Sequence, residues 1–209
     1  MPKRAGINRD AVIRAAAKIA DADGWDALTL AHVARKLRVR PPSLYNHVGG
    51  LEGVRRELKL IALRDLNTAL SRATVGKSRD DAVRGLAAAY RAFVKRNPGT
   101  YAATMVAAPK NDPALEAAAG QIVETILSVL SGYGLERRAG IHAIRGLRSA
   151  VHGFVALEIA GGFGIPLDVD KSFDWLVSAL LKGLPASGKH RPAETGTFHK
   201  SRGRTIREA

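Results

Sequence analysis

Apolar residues recur along most of this chain at helical spacing. Val12, Ala15, Ala16 and Ile19 stand at i, i+3, i+4 and i+7, one buried face of an amphipathic helix. Gly24 supplies a stop for that helix. Thr29 is suited to cap a second helix that turns Leu30, Val33, Ala34 and Leu37 inward. A long helix over 51–74 sets Val54, Leu58, Ile61 and Ala62 on one side. Further helices are predicted over 79–96 and 99–108, then from Asp112 as cap to 131, over 135–161, and from Asp170 as cap to 183. The breaks between them are Asn97-Pro98, "PKNDP", "GYG" and "GGFGIP". Strand-like alternation is nowhere sustained, and no internal repeat appears. The pattern therefore predicts an all-α chain of about nine helices.

The same pattern divides the chain. Residues 1–50 form a small head, 51–78 a connecting helix and linker, and 79–184 a helical body. Residues 185–209 have almost no apolar content; Lys189, Arg191, Lys200, Arg202, Arg204 and Arg207 face only Glu194 and Glu208. By composition that is a disordered basic tail.

Composition adds three constraints. With 209 residues, 46% of them hydrophobic, the chain is long enough to bury a core. The absence of cysteine removes disulfides, thiol catalysis and cysteine-based zinc sites, and fits a cytoplasmic protein. No run of about 18 apolar residues and no export signal are apparent, so no membrane partner is expected. The net charge of +14 is the largest global signal and points to a polyanionic partner, nucleic acid foremost.

The stretch "RVRPPSLYNHV", residues 38–48, carries the chemistry. Proline suits the first turn of a helix, where the N–H groups lack intrahelical partners. Pro41-Pro42 thus opens a helix only a few residues after Leu37 ends the previous one, which is helix-turn-helix spacing. Small Ala34 suits the crossing point, Val39 plugs the turn, and Leu44 and Val48 hold the second helix down. Pro41, Pro42, Ser43, Tyr45, Asn46 and His47 are left facing outward. A recognition helix offers such N-terminal side chains to phosphates and base edges.

Residues 8–62 resemble the DNA-binding domain of the tetracycline-repressor (TetR) family. The resemblance rests on "AVIRAAAKIADADGWDALTLAHVARKLRVRPPSLYNHVGGLEGV", with its Gly24-to-Thr29 entry into the second helix and its Leu-Tyr-x-His-Val hallmark at Leu44 to Val48. It implies a homodimer on a palindromic, double-stranded operator, usually a repressor released by a small-molecule effector. By position it makes Pro42, Ser43, Tyr45, Asn46 and His47 contact residues, with Tyr45, His47 and Thr29 near phosphates. Asn46 can pair with adenine and is the favoured base reader. Arg38 stands where the family usually has glycine; it either strains the turn or, like Arg40, adds a phosphate contact. Leu51 stands where a DNA-gripping lysine is usual. Lys3 and Arg4 form an N-terminal arm of the kind that reaches the minor groove or backbone, or simply a solvated chain start.

Residues 79–184 resemble the regulatory half of a TetR subgroup named for a Trp-His-Gly motif, through "HGFVALEIAGGFGIPLDVDKSFDWLVSALLKGL". Val151 replaces the tryptophan. The resemblance implies that the last two helices pair with their symmetry mates. Leu147, Val151, Val155 and Ile159 on one helix, and Trp175, Leu176, Ala179 and Leu180 on the other, are the expected interface; a thick single-chain core is the alternative. An effector pocket among the body's helices would draw on Tyr90, Phe93, Tyr101, Met105, Leu127 and Phe154, with His142, Arg145, Arg148 and His152 as polar anchors. Arg148 and His152 lie four apart and could anchor an acidic ligand, line the dimer interface, or pair with Glu158 or Glu124.

No Gly-x-Ser-x-Gly elbow, phosphate-cradling glycine loop or His-Glu-x-x-His is present, and the six histidines lack metal-ligand spacing. Neither an enzyme, a cofactor nor a metal site is expected. The alternative to a sequence-specific regulator is a sequence-tolerant architectural DNA-binding protein driven by charge.

Overall fold

The computed structural model describes residues 7–185, and within them nine α-helices and one 3-10 turn, with no strand. The predicted arm residues Lys3 and Arg4 and the basic tail lie outside the described residues. The head holds α1 (Arg9–Asp23), α2 (Leu30–Leu37) and α3 (Pro42–Tyr45). The long α4 (Gly50–Thr74) leads into the body: α5 (Arg79–Arg96), α6 (Pro98–Ala102), α7 (Pro113–Leu130), the 3-10 turn Ser131–Tyr133, α8 (Arg137–Ile159) and α9 (Val169–Lys182).

Local chemistry sets most of these ends. Asn8 caps α1 by accepting from Ala11 N, and Gly24, at φ 93°, closes it with its N–H on Ala20 O. Thr29 caps α2 by accepting from His32 N at 3.1 Å. Asp112 caps α7 through Leu115 N at 3.2 Å. The cap of α9 is Asp168, which accepts from Asp170 N and Lys171 N, not Asp170 as expected. The helix expected over 99–108 ends at Ala102. Beyond it, Lys59 Nζ donates to the carbonyls of Val106 and Ala107 at 2.8 and 3.2 Å. Those carbonyls, in the non-helical stretch after α6, face a cation on α4.

Two apolar cores result. The head core packs Val12, Ala16, Ile19, Leu28, Val33 and Leu44 against Val54 and Leu58 of α4. Fully burying each large side chain is worth about 1.5–3 kcal/mol, so the first turns of α4 belong to the head energetically. The body core packs Leu66 and Leu70 of α4 with Leu86, Tyr90, Phe93, Leu130, Ile144, Val151, Val155 and Phe173. A smaller cluster of Leu60, Leu63, Leu115 and Ala118 lies between α4 and α7. The stretch Pro113–Tyr133 has a mean hydropathy of 1.3 and meets the length of a membrane span, which corrects the expectation of no such run. Here it packs on α4 and α8 as a wall of the body and carries Glu116 and Glu124.

Candidate DNA-contact surface and effector cavity

The turn between α2 and α3 is built on Arg38, which takes the left-handed conformation at φ 58° and ψ 45°. Its N–H reaches the Arg35 carbonyl at 3.1 Å, and Val39 N reaches Ala34 O at 3.0 Å, closing the end of α2. Ala34 is buried at the crossing and Val39 packs against the head core, as the spacing predicts. Pro41 and Pro42 open α3 with no side-chain cap. Leu44 and Val48 are buried beneath it.

The opposite side is free. Tyr45 is 62% exposed. Pro42, Asn46, Arg38 and Arg40 are exposed, while Ser43 and His47 are half-buried. Thr29 is exposed at the start of α2, its oxygen engaged in the cap. Seven of the predicted contact residues thus fall on α3 and its flanks, and Thr29 stands at the start of α2. Leu51 is half-buried against the head core, so packing occupies the position where the family usually has lysine.

Three polar links tie the head to α4 and the body. Arg9 of α1 pairs with Glu57 of α4 at 2.6 Å. Arg56 of α4 makes a two-pronged bond to Asp112 at 2.5 and 2.9 Å; that guanidinium holds the Asp112 carboxyl below its ordinary range. Asp21 of α1 accepts from both the N–H and the hydroxyl of Thr100 on α6, at 2.7 and 3.0 Å. Beside this bond, Gly99 lies so close to α1 that a Cβ there would collide with Ala20 O. The short α6 is therefore locked onto the head's first helix.

The next residue of α6, Tyr101, enters a cavity of about 380 Å³ in the body. This falls in the size range of small-molecule sites. Of the predicted pocket residues, Tyr90, Tyr101, Met105 and Arg148 line it. The Tyr90 and Tyr101 hydroxyls bond to each other, and Tyr101 also reaches His152 Nδ1 at 3.1 Å. Burial raises both phenol pKa values, so both remain protonated. Burial, and then the Arg148 charge, lower that of His152.

The other six predicted pocket residues do not line the cavity. Phe93 is in the body core. Phe154 packs with Phe163 and Phe173, at centroid distances of 4.8 and 5.2 Å. Leu127 lies against Gly140. His142 and Arg145 are exposed, and His152 stands behind Tyr101. Sequence reading missed the contributions of Lys59, Leu63 and Leu66 on α4 and of Ile122, Val123 and Ile126 on α7. Their periodic apolar stripes were visible, but a stripe does not distinguish a cavity wall from filled core.

Neither carboxylate suggested for Arg148 pairs with it. Glu158 takes Arg91 at 2.7 Å and Lys95 at 2.5 Å, and Glu124 takes Arg137 at 2.6 Å. Arg91 also reaches Asp170 at 2.7 Å, knitting α5, α8 and α9 together. Arg91 hydrogen bonds hold Glu158 down at a pKa of about 2 despite partial burial.

The expected interface splits in two. Val151 and Val155 are buried in the protomer's own core, so they have no surface for a partner. Leu147 lines the cavity. Ile159, Ala179 and Trp175, the last 74% exposed, do face outward, and Leu176 and Leu180 are half-buried. Leu157, which was not anticipated, is also exposed. Among the described residues no group of three or more His, Asp or Glu is placed to hold a metal ion.

A head of this geometry on an all-helical body defines a helix-turn-helix protein with an internal cavity. The family profile described as "Tetracyclin repressor-like, C-terminal domain" matches residues 83–180. The chain is 36% identical over 187 residues to the helix-turn-helix-type transcriptional regulator Rv0681 of Mycobacterium tuberculosis, covering 89% of this chain and 85% of that one. It is also 36% identical over 192 residues to the helix-turn-helix-type regulator YobS of Bacillus subtilis, covering 91% and 99%. Among solved structures, a Rhodococcus sp. RHA1 protein superposes with a TM-score of 0.73 at 20% identity, covering 89% and 100%. A TetR variant from Acinetobacter baumannii in complex with minocycline gives a TM-score of 0.64 at 20% identity, covering 85% and 96%. The chain belongs to the TetR family of DNA-binding transcriptional regulators, and it is not an enzyme.

Proposed function

We propose that this regulator is a homodimeric repressor that binds a palindromic operator and is released from it by a small molecule in the body cavity. The observation that carries the reading is the path through α6. Thr100 holds Asp21 of the head at 2.7 Å while its neighbour Tyr101 lines the cavity. A ligand that shifts the α6 backbone at Tyr101 moves Thr100, and through its bonds to Asp21 bears on α1. DNA release then follows from the ligand's preference for one of two packings, by its differential binding free energy.

On the DNA side, Tyr45, Asn46, His47, Ser43 and Pro42 read the major groove, with Tyr45 and His47 on phosphates. Arg38, Arg40 and Thr29 lie beside them. Two such heads have to stand about 34–36 Å apart to enter successive major grooves. The outward residues Trp175, Ile159, Leu157 and Ala179, with the edges of Leu176 and Leu180, supply the dimer surface. The minocycline complex of the Acinetobacter protein shows a ligand in a related fold and supports an effector role for this cavity. Such a regulator works where the operator is, in the cytoplasm. The test is Tyr45→Phe with His47→Ala. Operator affinity falls roughly tenfold or more, as for lost bonds to a charged phosphate; unchanged affinity would place the contacts elsewhere.

A further inference from the structure

We infer that the effector is a monoanionic amphiphile, a carboxylate joined to an apolar body, and that Arg148 receives its head group. This rests on the reading of the cavity as an effector site. The walls are apolar, formed by Leu66, Leu86, Ile122, Val123 and Ile126 among others. No acidic side chain lines the cavity, and its two cations are Lys59 and Arg148. Lys59 is already committed to the Val106 and Ala107 carbonyls. Arg148 is different. The glutamates that could neutralise it are bound to Arg91, Lys95 and Arg137, and no Asp or Glu pairs with it among the described residues. Its own contacts are a long 3.4 Å approach to Thr104 O and the two tyrosine hydroxyls. Both of these are neutral.

Arg148 is exposed as well as cavity-lining, and with no paired carboxylate it favours one negative charge at the solvent-facing edge of an apolar cavity. Its planar fork matches a carboxylate in two-pronged fashion. A cationic ligand would be repelled by Arg148 and Lys59 alike. A neutral one would leave the guanidinium to solvent and gain no charge-assisted bond from it.

The experiment measures binding to the full-length protein of three probes with one chain length: octanoate, octanol and octyltrimethylammonium. Calorimetry on the wild type is compared with Arg148→Gln and Arg148→Lys, after circular dichroism establishes that each variant is folded. Octanoate is expected to bind at least tenfold tighter than octanol, with no binding by the cation. Arg148→Gln brings octanoate down to the octanol level, a roughly tenfold to hundredfold loss. Arg148→Lys restores part of it, because the charge remains but the fork does not. Equal binding of octanoate and octanol, tighter binding of the cation, or no octanoate binding overturns the inference. Release of selected operator DNA is followed in parallel. Octanol that binds as tightly as octanoate and releases DNA keeps the effector-site reading and rejects the anion. Octanoate that binds at Arg148 without releasing DNA keeps the anion and rejects the effector-site reading.

Discussion

Arg38 carries a conformational cost that the fold tolerates. A side chain at φ 58° is disfavoured by roughly 1–2 kcal/mol relative to the right-handed region, whereas glycine accepts it freely. Arg38→Gly is therefore expected to stabilise the protein by about 1 kcal/mol in urea denaturation. If Arg38 also touches a phosphate, the same variant weakens DNA binding and flattens its salt dependence, so stability and affinity move in opposite directions. Glu158 gives a second prediction at this scale. Its pKa is depressed from the ordinary 4.5 to about 2 by Arg91. A depressed carboxylate contributes stability that is fully present above 4.5 and is lost as pH falls toward 2. Glu158→Gln should remove that part of the acid-unfolding slope while leaving the slope above it unchanged. Single residues were legible where their chemistry is local. Thr29 and Asp112 were recognisable caps because they bond N–H groups three residues on. Asp168 and Asp170 are chemically equivalent candidates, and only the chain path through Pro166 and Leu167 decides between them.

At the scale of elements, the decisive piece is the short α6. Its sequence continues into "ATMVAA", which on its own favours helix, yet it stops at Ala102, and Lys59 binds the Val106 and Ala107 carbonyls in the non-helical stretch beyond. A contact across 47 residues of chain is invisible to periodicity. The same holds for Gly99, whose need for close approach to Ala20 O comes from another helix. Gly99→Ala should cost about 1–3 kcal/mol or more, as overpacking does, measured by thermal or urea unfolding. On the proposed coupling through the Asp21–Thr100 bonds, Asp21→Ala should leave ligand binding intact but weaken its effect on DNA. The helix-turn-helix, by contrast, was legible as an element. Its two helices are joined by a short turn, and proline, small and apolar residues occupy the positions that local geometry demands.

At the scale of the molecule, the cavity and the interface depend on how distant helices meet. The cavity lies among α4, α5, α7 and α8, with Tyr101 of α6 in its wall. No local pattern announces such a gap. Val151 and Val155 illustrate the converse: a second apolar face on α8 looked like surplus surface but fills the protomer's own core. The outward apolar residues gather instead at Trp175 of α9 and at Leu157 and Ile159 near the end of α8. A buried aromatic anchor at an interface dominates its energy, so if the proposed homodimer forms on this face, Trp175→Glu should yield a monomer in analytical ultracentrifugation; an unchanged sedimentation coefficient places the interface elsewhere. On the proposed two-head mode of binding, the same variant should also lose operator affinity.

The most direct measurement is selection from a random DNA library by the full-length protein, at near-physiological salt with excess competitor DNA. The account predicts enrichment of a palindrome with half-sites about one helical turn apart or a multiple of it, lost in the Tyr45→Phe, His47→Ala variant. Binding without sequence enrichment that disappears steeply as salt rises would contradict it, and would mark the chain as a charge-driven, sequence-tolerant DNA binder.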